Sequence, residues 1–171
     1  MVETNGKNFD LLTLGQVLLR LSPPDNERLS RGDTFVKQVG GAELNVAVGA
    51  ALLGLHTGVI SKLPAHDIGS FMKGKIRSFG VSDDFFMYDQ SPAARVGIYY
   101  YENGAYPRKP KVIYDRNHSS FFSLDIDEIP EEVYTASKCF HTTGITLALN
   151  GDIRETTIEM IKRFKAAGTL V

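Results

Sequence analysis

The sequence predicts an α/β protein in which helices cover both faces of a mostly parallel sheet. Amphipathic runs of roughly a dozen residues alternate along the chain with short apolar segments, which is the pattern of βαβ units. The composition, 43% apolar and 23% charged, is typical of a globular protein. Two β-rich regions interrupt the alternation, and we expect them to form a small β layer of their own.

Three apolar segments are predicted strands of the main sheet. They are Phe9 to Leu14, Thr57 to Ser61 and Lys138 to Thr142. A further strand is expected to begin at Thr169, directly before the sequence ends. Because a helix followed by the start of a strand is a poor end for such a fold, we expect the chain to be the N-terminal part of a longer protein.

Three helices are predicted from an apolar period of 3.6 residues: Glu43 to Leu55, Asp67 to Phe79 and Gly151 to Ala167. Asp67 and Asn150 are the expected caps of the second and third helices. The apolar stripes consist of Leu44, Ala47, Val48, Ala51, Leu52 and Leu55, then Ile68, Phe71, Met72, Ile76 and Phe79, then Ile153, Thr157, Met160, Ile161 and Phe164.

The two regions outside this rhythm are Leu18 to Val39 and Ala94 to Arg116, the second of which has the pattern of a hairpin with a long loop. Because side chains alternate along a strand, the residues of each arm that share one face can be predicted. On the first arm these are Arg95, Gly97, Tyr99 and Tyr101, and on the second arm Val112, Tyr114 and Arg116. The regions are either a flap over a ligand or an ordinary extension of the sheet edge.

Charge and composition exclude several classes of protein. The formal net charge is −1, which argues against a nucleic-acid partner, and no polybasic stretch or long apolar run suggests a membrane contact. The single cysteine, Cys139, excludes an internal disulfide and a cysteine zinc site, and the four histidines are dispersed, so we expect no metal site in this segment. With no apolar signal region at the N-terminus, the protein is expected to be soluble and cytoplasmic.

The segment from Gln38 to Ala47 is the sharpest local motif. Gly40 and Gly41 allow close backbone approach at a helix N-terminus, and Asn45 can donate and accept hydrogen bonds with a sugar hydroxyl. The alternative is a purely structural role, in which the glycines form a tight turn and the asparagine belongs to the start of the helix. No G-x-G-x-x-G or P-loop motif is present, which argues against a nicotinamide oxidoreductase and a P-loop enzyme.

The hairpin offers a second set of ligand groups. If Tyr99, Tyr114 and Arg116 face one cleft, the phenols can bind hydroxyls and the guanidinium can bind a carboxylate through two parallel hydrogen bonds. The alternative is a solvated arginine on a strand.

These residues resemble the PfkB (ribokinase-like) carbohydrate kinases. The resemblance rests on Gly-Gly-Ala-Glu-Leu-Asn-Val-Ala with Leu-Gly-Leu-His-Thr-Gly-Val-Ile-Ser after it, and covers about residues 9 to 171. Gly97-Ile-Tyr99, Tyr114-Asp-Arg116 and His141-Thr-Thr-Gly-Ile-Thr are most similar to the members that phosphorylate 2-keto-3-deoxygluconate. The resemblance implies a ribokinase-like fold, ATP and Mg²⁺ as cofactors, and a homodimer or larger oligomer formed through a β lid at about residues 18–39 and 94–116.

The resemblance also implies a substrate site. Arg116 would bind the carboxylate of the sugar acid, and the other groups would line the sugar. The expected site residues are Gln16, Gly40, Gly41, Ala42, Glu43, Asn45, Tyr99, Tyr114, Arg116, Gly144 and Ile145.

The sequence departs from the family pattern at three points, one of which is the segment Lys62 to Gly69, where relatives usually have a Val-Gly-x-Asp pattern. Gln16 stands where relatives usually carry an acid, and the family's Gly-Ala-Gly-Asp motif with its catalytic aspartate is absent up to Val171. We therefore expect residues 1–171 alone to be inactive. Two alternatives stay open: another sugar kinase of the family such as a fructokinase, and a non-catalytic sugar-binding module.

Overall fold

The computed structural model describes residues 8–171, which form two β-sheets and four α-helices. The strands are β1 (Phe9–Leu14), β2 (Leu18–Ser22), β3 (Val36–Gly40), β4 (Thr57–Pro64), β5 (Val81–Ser82), β6 (Phe86–Asp89), β7 (Gly97–Glu102), β8 (Lys111–Asp115) and β9 (Ser137–His141). The helices are α1 (Ala42–Leu52), α2 (Asp67–Ser78), α3 (Gly144–Leu147) and α4 (Ile153–Ala166).

The main sheet is parallel, as the sequence predicts. Its strand order is β5-β4-β1-β9, and β6 pairs with the second half of β4. Leu170 forms an isolated parallel bridge with Cys139 of β9, where the sequence predicts a further strand. The burial of Cys139 raises the pKa of its thiol, which fits an inert strand cysteine.

Helices cover both faces of this sheet. Val59 and Ile60, neighbours on β4, enter different cores because successive strand side chains point to opposite faces. Ile60 packs with the core that includes Met160 and Phe164 of α4. Val59 packs with Leu44, Ala47, Met72 and Ile76 of α1 and α2. The predicted three-layer arrangement is therefore confirmed.

The two β-rich regions build a separate four-stranded sheet, called here the small sheet, with the order β3-β2-β7-β8. The predicted hairpin is β7 and β8, paired antiparallel with Tyr99 opposite Tyr114. β2 lies parallel to β7 and antiparallel to β3.

The ends of two predicted helices are wrong. α1 stops at Leu52, and Leu52 and Leu55 are 78% and 46% exposed instead of facing the core. Phe79 follows the end of α2 and is 42% exposed. In each case the apolar period continues past the last helical turn, so periodicity alone overestimates the length of the buried stripe.

Both predicted caps are also wrong. Asp67 is the first residue of α2, and the cap is His66, whose Nδ1 accepts a hydrogen bond from the Ile68 amide at 3.2 Å. Asp152, not Asn150, precedes α4, and its side chain makes no capping bond. The short elements α3, β5 and β6 had no prediction, because two to four residues carry too little periodicity.

No helix within residues 8–171 is long and apolar enough to cross a bilayer. The expectation that the N-terminus lacks a signal region rests partly on residues 1–7, which lie outside the described residues.

Candidate functional site

One face of the small sheet and the N-terminal end of α1 enclose a cavity of about 470 Å³. Its walls combine phenols, two guanidinium groups, an amide and backbone of the helix start. The lining residues are Gln16, Leu18, Arg20, Gly41, Ala42, Glu43, Asn45, Tyr99, Tyr101, Val112, Tyr114, Arg116 and Ile145.

Strand register explains why so many of these residues meet. Arg20 pairs with Tyr99 and Tyr99 with Tyr114, so the three form a row across β2, β7 and β8. Residues two positions away on each strand share that face, which adds Leu18 and Tyr101. Tyr99, Tyr114 and Arg116 line one cavity, as the sequence predicts.

Gly41 shapes the helix end of the cavity. Its φ of 151° is unfavourable for other residues, and a Cβ there would lie 2.7 Å from the backbone oxygen of Gln16. The Gly41 carbonyl accepts the first hydrogen bond of α1 from the Asn45 amide at 2.9 Å. Because the first amides of a helix lack intrahelical partners, this end presents donors toward oxygen-rich groups.

Glu43 lines the cavity but is 2% exposed and already bound to protein groups. Its Oε1 accepts from the hydroxyls of Thr143 and Thr146 at 2.5 and 2.7 Å and from the Thr143 amide at 3.2 Å. A Cβ on Gly15 would lie 2.2 Å from its Oε2. These contacts join α1 to α3 and to the end of β1.

Gly40 serves the site indirectly. It does not line the cavity, but a Cβ at this position would lie 2.5 Å from the Tyr99 hydroxyl. The missing side chain leaves the space that the Tyr99 ring occupies. Burial of the ring raises the pKa of Tyr99, so its hydroxyl stays protonated and able to donate at neutral pH.

Arg116 follows β8 and is half-buried against the cavity. Its Nε donates to Gln16 Oε1 at 2.7 Å, and its guanidinium carbon lies 5.8 Å from the centre of the Tyr114 ring. Burial lowers the pKa of Arg116, although the charge of Glu43 opposes this shift. The guanidinium remains a cation at neutral pH because the ordinary pKa of arginine is far above 7. Within residues 8–171 its two terminal nitrogens have no hydrogen-bond acceptor and it forms no ion pair.

The remaining predicted residues differ in position. Ala42, Asn45, Tyr114 and Ile145 line the cavity, and Asn45 and Tyr114 are exposed toward it. Gly144 is the first residue of α3 and is not part of the lining.

Arg20 is a cavity residue that the sequence analysis missed. Its Nε donates to Ser22 Oγ at 2.9 Å, and its guanidinium carbon lies 4.3 Å above the Tyr101 ring. The signal was the alternation of Leu18, Arg20 and Ser22, which is informative only once β2 is known to pair with β7. Arg95, predicted on the same face as Tyr99, instead pairs with Asp115 at 2.9 Å and lies outside the lining.

The arrangement suits a small polar ligand with one negative group. Phenol, amide and backbone groups can bind hydroxyls, and two guanidinium groups favour an anion. In the described part of the chain, no group of three or more His, Cys, Asp or Glu side chains is placed to hold a metal ion.

Known proteins share this fold. A 2-dehydro-3-deoxygalactonokinase from Haloferax volcanii is 38% identical over 94% of the chain and 49% of its own length. The crystal structure of a 2-dehydro-3-deoxygluconokinase from Thermotoga maritima is 34% identical and superposes with a TM-score of 0.88 over 94% of the chain and 49% of its own. A sugar kinase from Pyrococcus horikoshii in complex with ATP is 25% identical, with a TM-score of 0.79 over 92% of the chain and 50% of its own.

The chain thus spans about half the length of the relatives it matches. The family model for the pfkB family carbohydrate kinases matches residues 8–171, nearly the whole sequence and all of the part that forms the two sheets and the cavity. This chain belongs to the pfkB family of carbohydrate kinases.

Proposed function

We propose that this chain supplies the sugar-binding half of an ATP-dependent kinase that phosphorylates 2-keto-3-deoxygluconate. The observation that carries the proposal is Arg116, a cation with free terminal nitrogens in the same cavity as the Tyr99 and Tyr114 phenols and the Asn45 amide. A guanidinium fork matches a carboxylate, whereas a neutral sugar gives it no charged partner. The names of the two relatives given above, both kinases of dehydro-deoxy sugar acids, support the same assignment.

The residues of this chain would bind and orient the acceptor sugar. Arg116 would hold the carboxylate, the phenols of Tyr99 and Tyr114 and the amide of Asn45 would bind hydroxyls, and Ile145 would form an apolar wall. Fixing the sugar in this way lowers the entropic part of the barrier to phosphoryl transfer. ATP, with Mg²⁺, supplies the phosphoryl group in this family. Within residues 8–171, no group of three or more His, Cys, Asp or Glu side chains is placed to hold the ion.

A second substrate, 2-keto-3-deoxygalactonate, is favoured by the relative from Haloferax volcanii. The two acids have the same keto-carboxylate end and differ in the configuration at C4. Binding by Arg116 is therefore expected for both, and relative kcat/KM of the two acids in the full-length protein decides between them.

The test of the proposal is Arg116→Met in the full-length protein. Removing a charge-assisted hydrogen-bonding pair should lower kcat/KM for 2-keto-3-deoxygluconate by about 10²-fold. The neutral analogue 3-deoxyfructose, in which CH₂OH replaces the carboxylate, should lose less than about threefold, because it offers no charge to the guanidinium. Equal losses for both compounds would remove the reason for a sugar-acid substrate.

We also propose that the small sheet is a lid and that two protomers meet through it. Phe35, whose ring packs on Tyr100, and Ile113, which pairs with Tyr100, are 45% and 44% exposed, which leaves apolar surface for a second copy. Sedimentation of the full-length protein should give a homodimer, and Ile113→Lys should weaken it.

A further inference from the structure

We propose that Gln16 is a positioning residue for the sugar acid: it holds the Arg116 guanidinium so that only its terminal nitrogens face the carboxylate. The inference rests on the proposed function, and it gives Gln16 a role different from the direct sugar contact that the sequence predicted.

The side chain of Gln16 is buried and its amide is hydrogen-bonded to other protein groups. It is 3% exposed and stands just after the tight contact between Gly15 and Glu43. Both hydrogens of its amide are used: Nε2 donates to Ser119 Oγ at 2.7 Å and to the Arg116 backbone oxygen at 3.0 Å. The amide therefore has no hydrogen left to donate to a sugar.

The same amide forms two hydrogen bonds with Arg116. Its nitrogen binds the Arg116 backbone oxygen, and its oxygen accepts from the Arg116 Nε at 2.7 Å. A carboxylate can approach a guanidinium either along the edge formed by Nε and one terminal nitrogen or along the edge formed by the two terminal nitrogens. Since Nε is bound to Gln16, the second edge is the one left for the substrate.

Gln16 also holds Arg116 without neutralising it. An amide oxygen accepts the Nε hydrogen but carries no net charge. Arg116 forms no ion pair within residues 8–171, and Glu43 acts on its pKa through its charge without a salt bridge or hydrogen bond between them. The guanidinium thus keeps a positive charge for an anionic ligand.

The experiment measures ligand binding by the full-length protein without ATP. Titration calorimetry gives the Kd of 2-keto-3-deoxygluconate and of 3-deoxyfructose, and their ratio is the preference for the acid. Gln16→Met keeps the length of the side chain and removes its hydrogen bonds. Gln90→Met makes the same substitution at an exposed glutamine outside the cavity lining. Thermal melting checks that each variant is folded, and Gln16→Asn, too short to reach Nε, replaces Gln16→Met if that variant does not fold.

We expect Gln16→Met to reduce the preference for the acid by about tenfold, the scale of one charge-assisted hydrogen bond. The Kd of 3-deoxyfructose should change by less than about twofold, and Gln90→Met should alter neither. In an Arg116→Met background, Gln16→Met should have no further effect on the acid, because its action passes through Arg116.

Three results would contradict different parts of the account. A wild-type protein that binds both compounds equally would refute the proposed function itself. A wild-type protein that prefers the acid, with Gln16→Met showing the same preference or losing affinity for both compounds equally, would overturn the role of Gln16 alone. An additive loss in the double variant would overturn it as well.

Discussion

Several residues at this site act in pairs. In each pair, one residue either leaves space for the side chain of the other or binds it. Gly40 leaves the space that the Tyr99 hydroxyl fills, and Gly15 leaves the space that the Glu43 carboxylate fills. Gln16 in turn binds Arg116 through its side-chain amide. The glycines before α1 thus serve the ligand mainly through the shape they allow their neighbours, and less through contacts of their own.

Gly40→Ala tests this reading of the glycine motif. The added methyl group would lie 2.5 Å from the Tyr99 hydroxyl, so the ring must move out of its place in the cavity wall. We predict a loss of about 1–3 kcal/mol in the free energy of unfolding, measured by urea denaturation, and weaker sugar binding measured by calorimetry.

Gly49→Ala in α1 is the matched control. A Cβ there has nothing within 4 Å, and the position is exposed. Alanine in a helix interior should raise the free energy of unfolding by about 0.5–1 kcal/mol without changing sugar affinity. Comparable binding in the two variants would contradict the supporting role of Gly40.

At the scale of elements, the small sheet depends on links between its loops. Glu102 at the end of β7 is 7% exposed, and its Oε2 accepts from the Leu29 amide in the β2–β3 loop at 2.8 Å. It also forms an ion pair with Arg108 in the hairpin loop. The two loops of the sheet are therefore fastened to one carboxylate.

This contact makes the small sheet sensitive to acid. The Leu29 amide, with a smaller contribution from Arg108, lowers the pKa of Glu102 below its usual value of 4.5. The stabilisation is therefore fully present above that value and is lost as the pH falls through the lowered pKa. Melting temperatures should show Glu102→Gln less stable than wild type at pH 7, with the difference shrinking toward pH 3.

Glu132→Gln, at an exposed glutamate, should follow the wild type at every pH. A stability gap for Glu102→Gln that stays constant between neutral and acidic pH would contradict the assigned charge of Glu102.

The sequence predicts those elements well in which local pattern and tertiary packing agree. Phe9–Leu14 has the predicted bounds, α2 begins at the predicted residue and ends one residue early, and α4 differs from the prediction by two residues at its start and one at its end. The failures have a common cause. The exposure of Leu52 and the place of Arg20 in the cavity depend on which part of the fold packs opposite each element. The hydrophobic period of a local segment does not contain that information.

At the scale of the whole molecule, the proposed function makes the described residues the acceptor side of a kinase. The cavity between the small sheet and α1 offers groups for a sugar acid, and no cluster in residues 8–171 is suited to a metal ion. The sequence contains no Gly-Ala-Gly-Asp motif, which carries the catalytic aspartate in this family.

We therefore predict that residues 1–171 expressed alone do not phosphorylate 2-keto-3-deoxygluconate. Loss of a single oxyanion-binding donor already costs about 10²- to 10³-fold in rate, and here the base is missing too. A coupled assay for ADP should stay at background. Turnover above background would show that this half holds a reaction path of its own.

The central claim is that the small sheet and the start of α1 bind one sugar acid together. A crystal structure of the full-length protein with 2-keto-3-deoxygluconate tests it most directly. We predict the carboxylate within hydrogen-bond distance of the terminal nitrogens of Arg116 and a hydroxyl at the same distance from Asn45. A ligand bound elsewhere, or bound in this cavity with its carboxylate turned away from Arg116, would contradict the account.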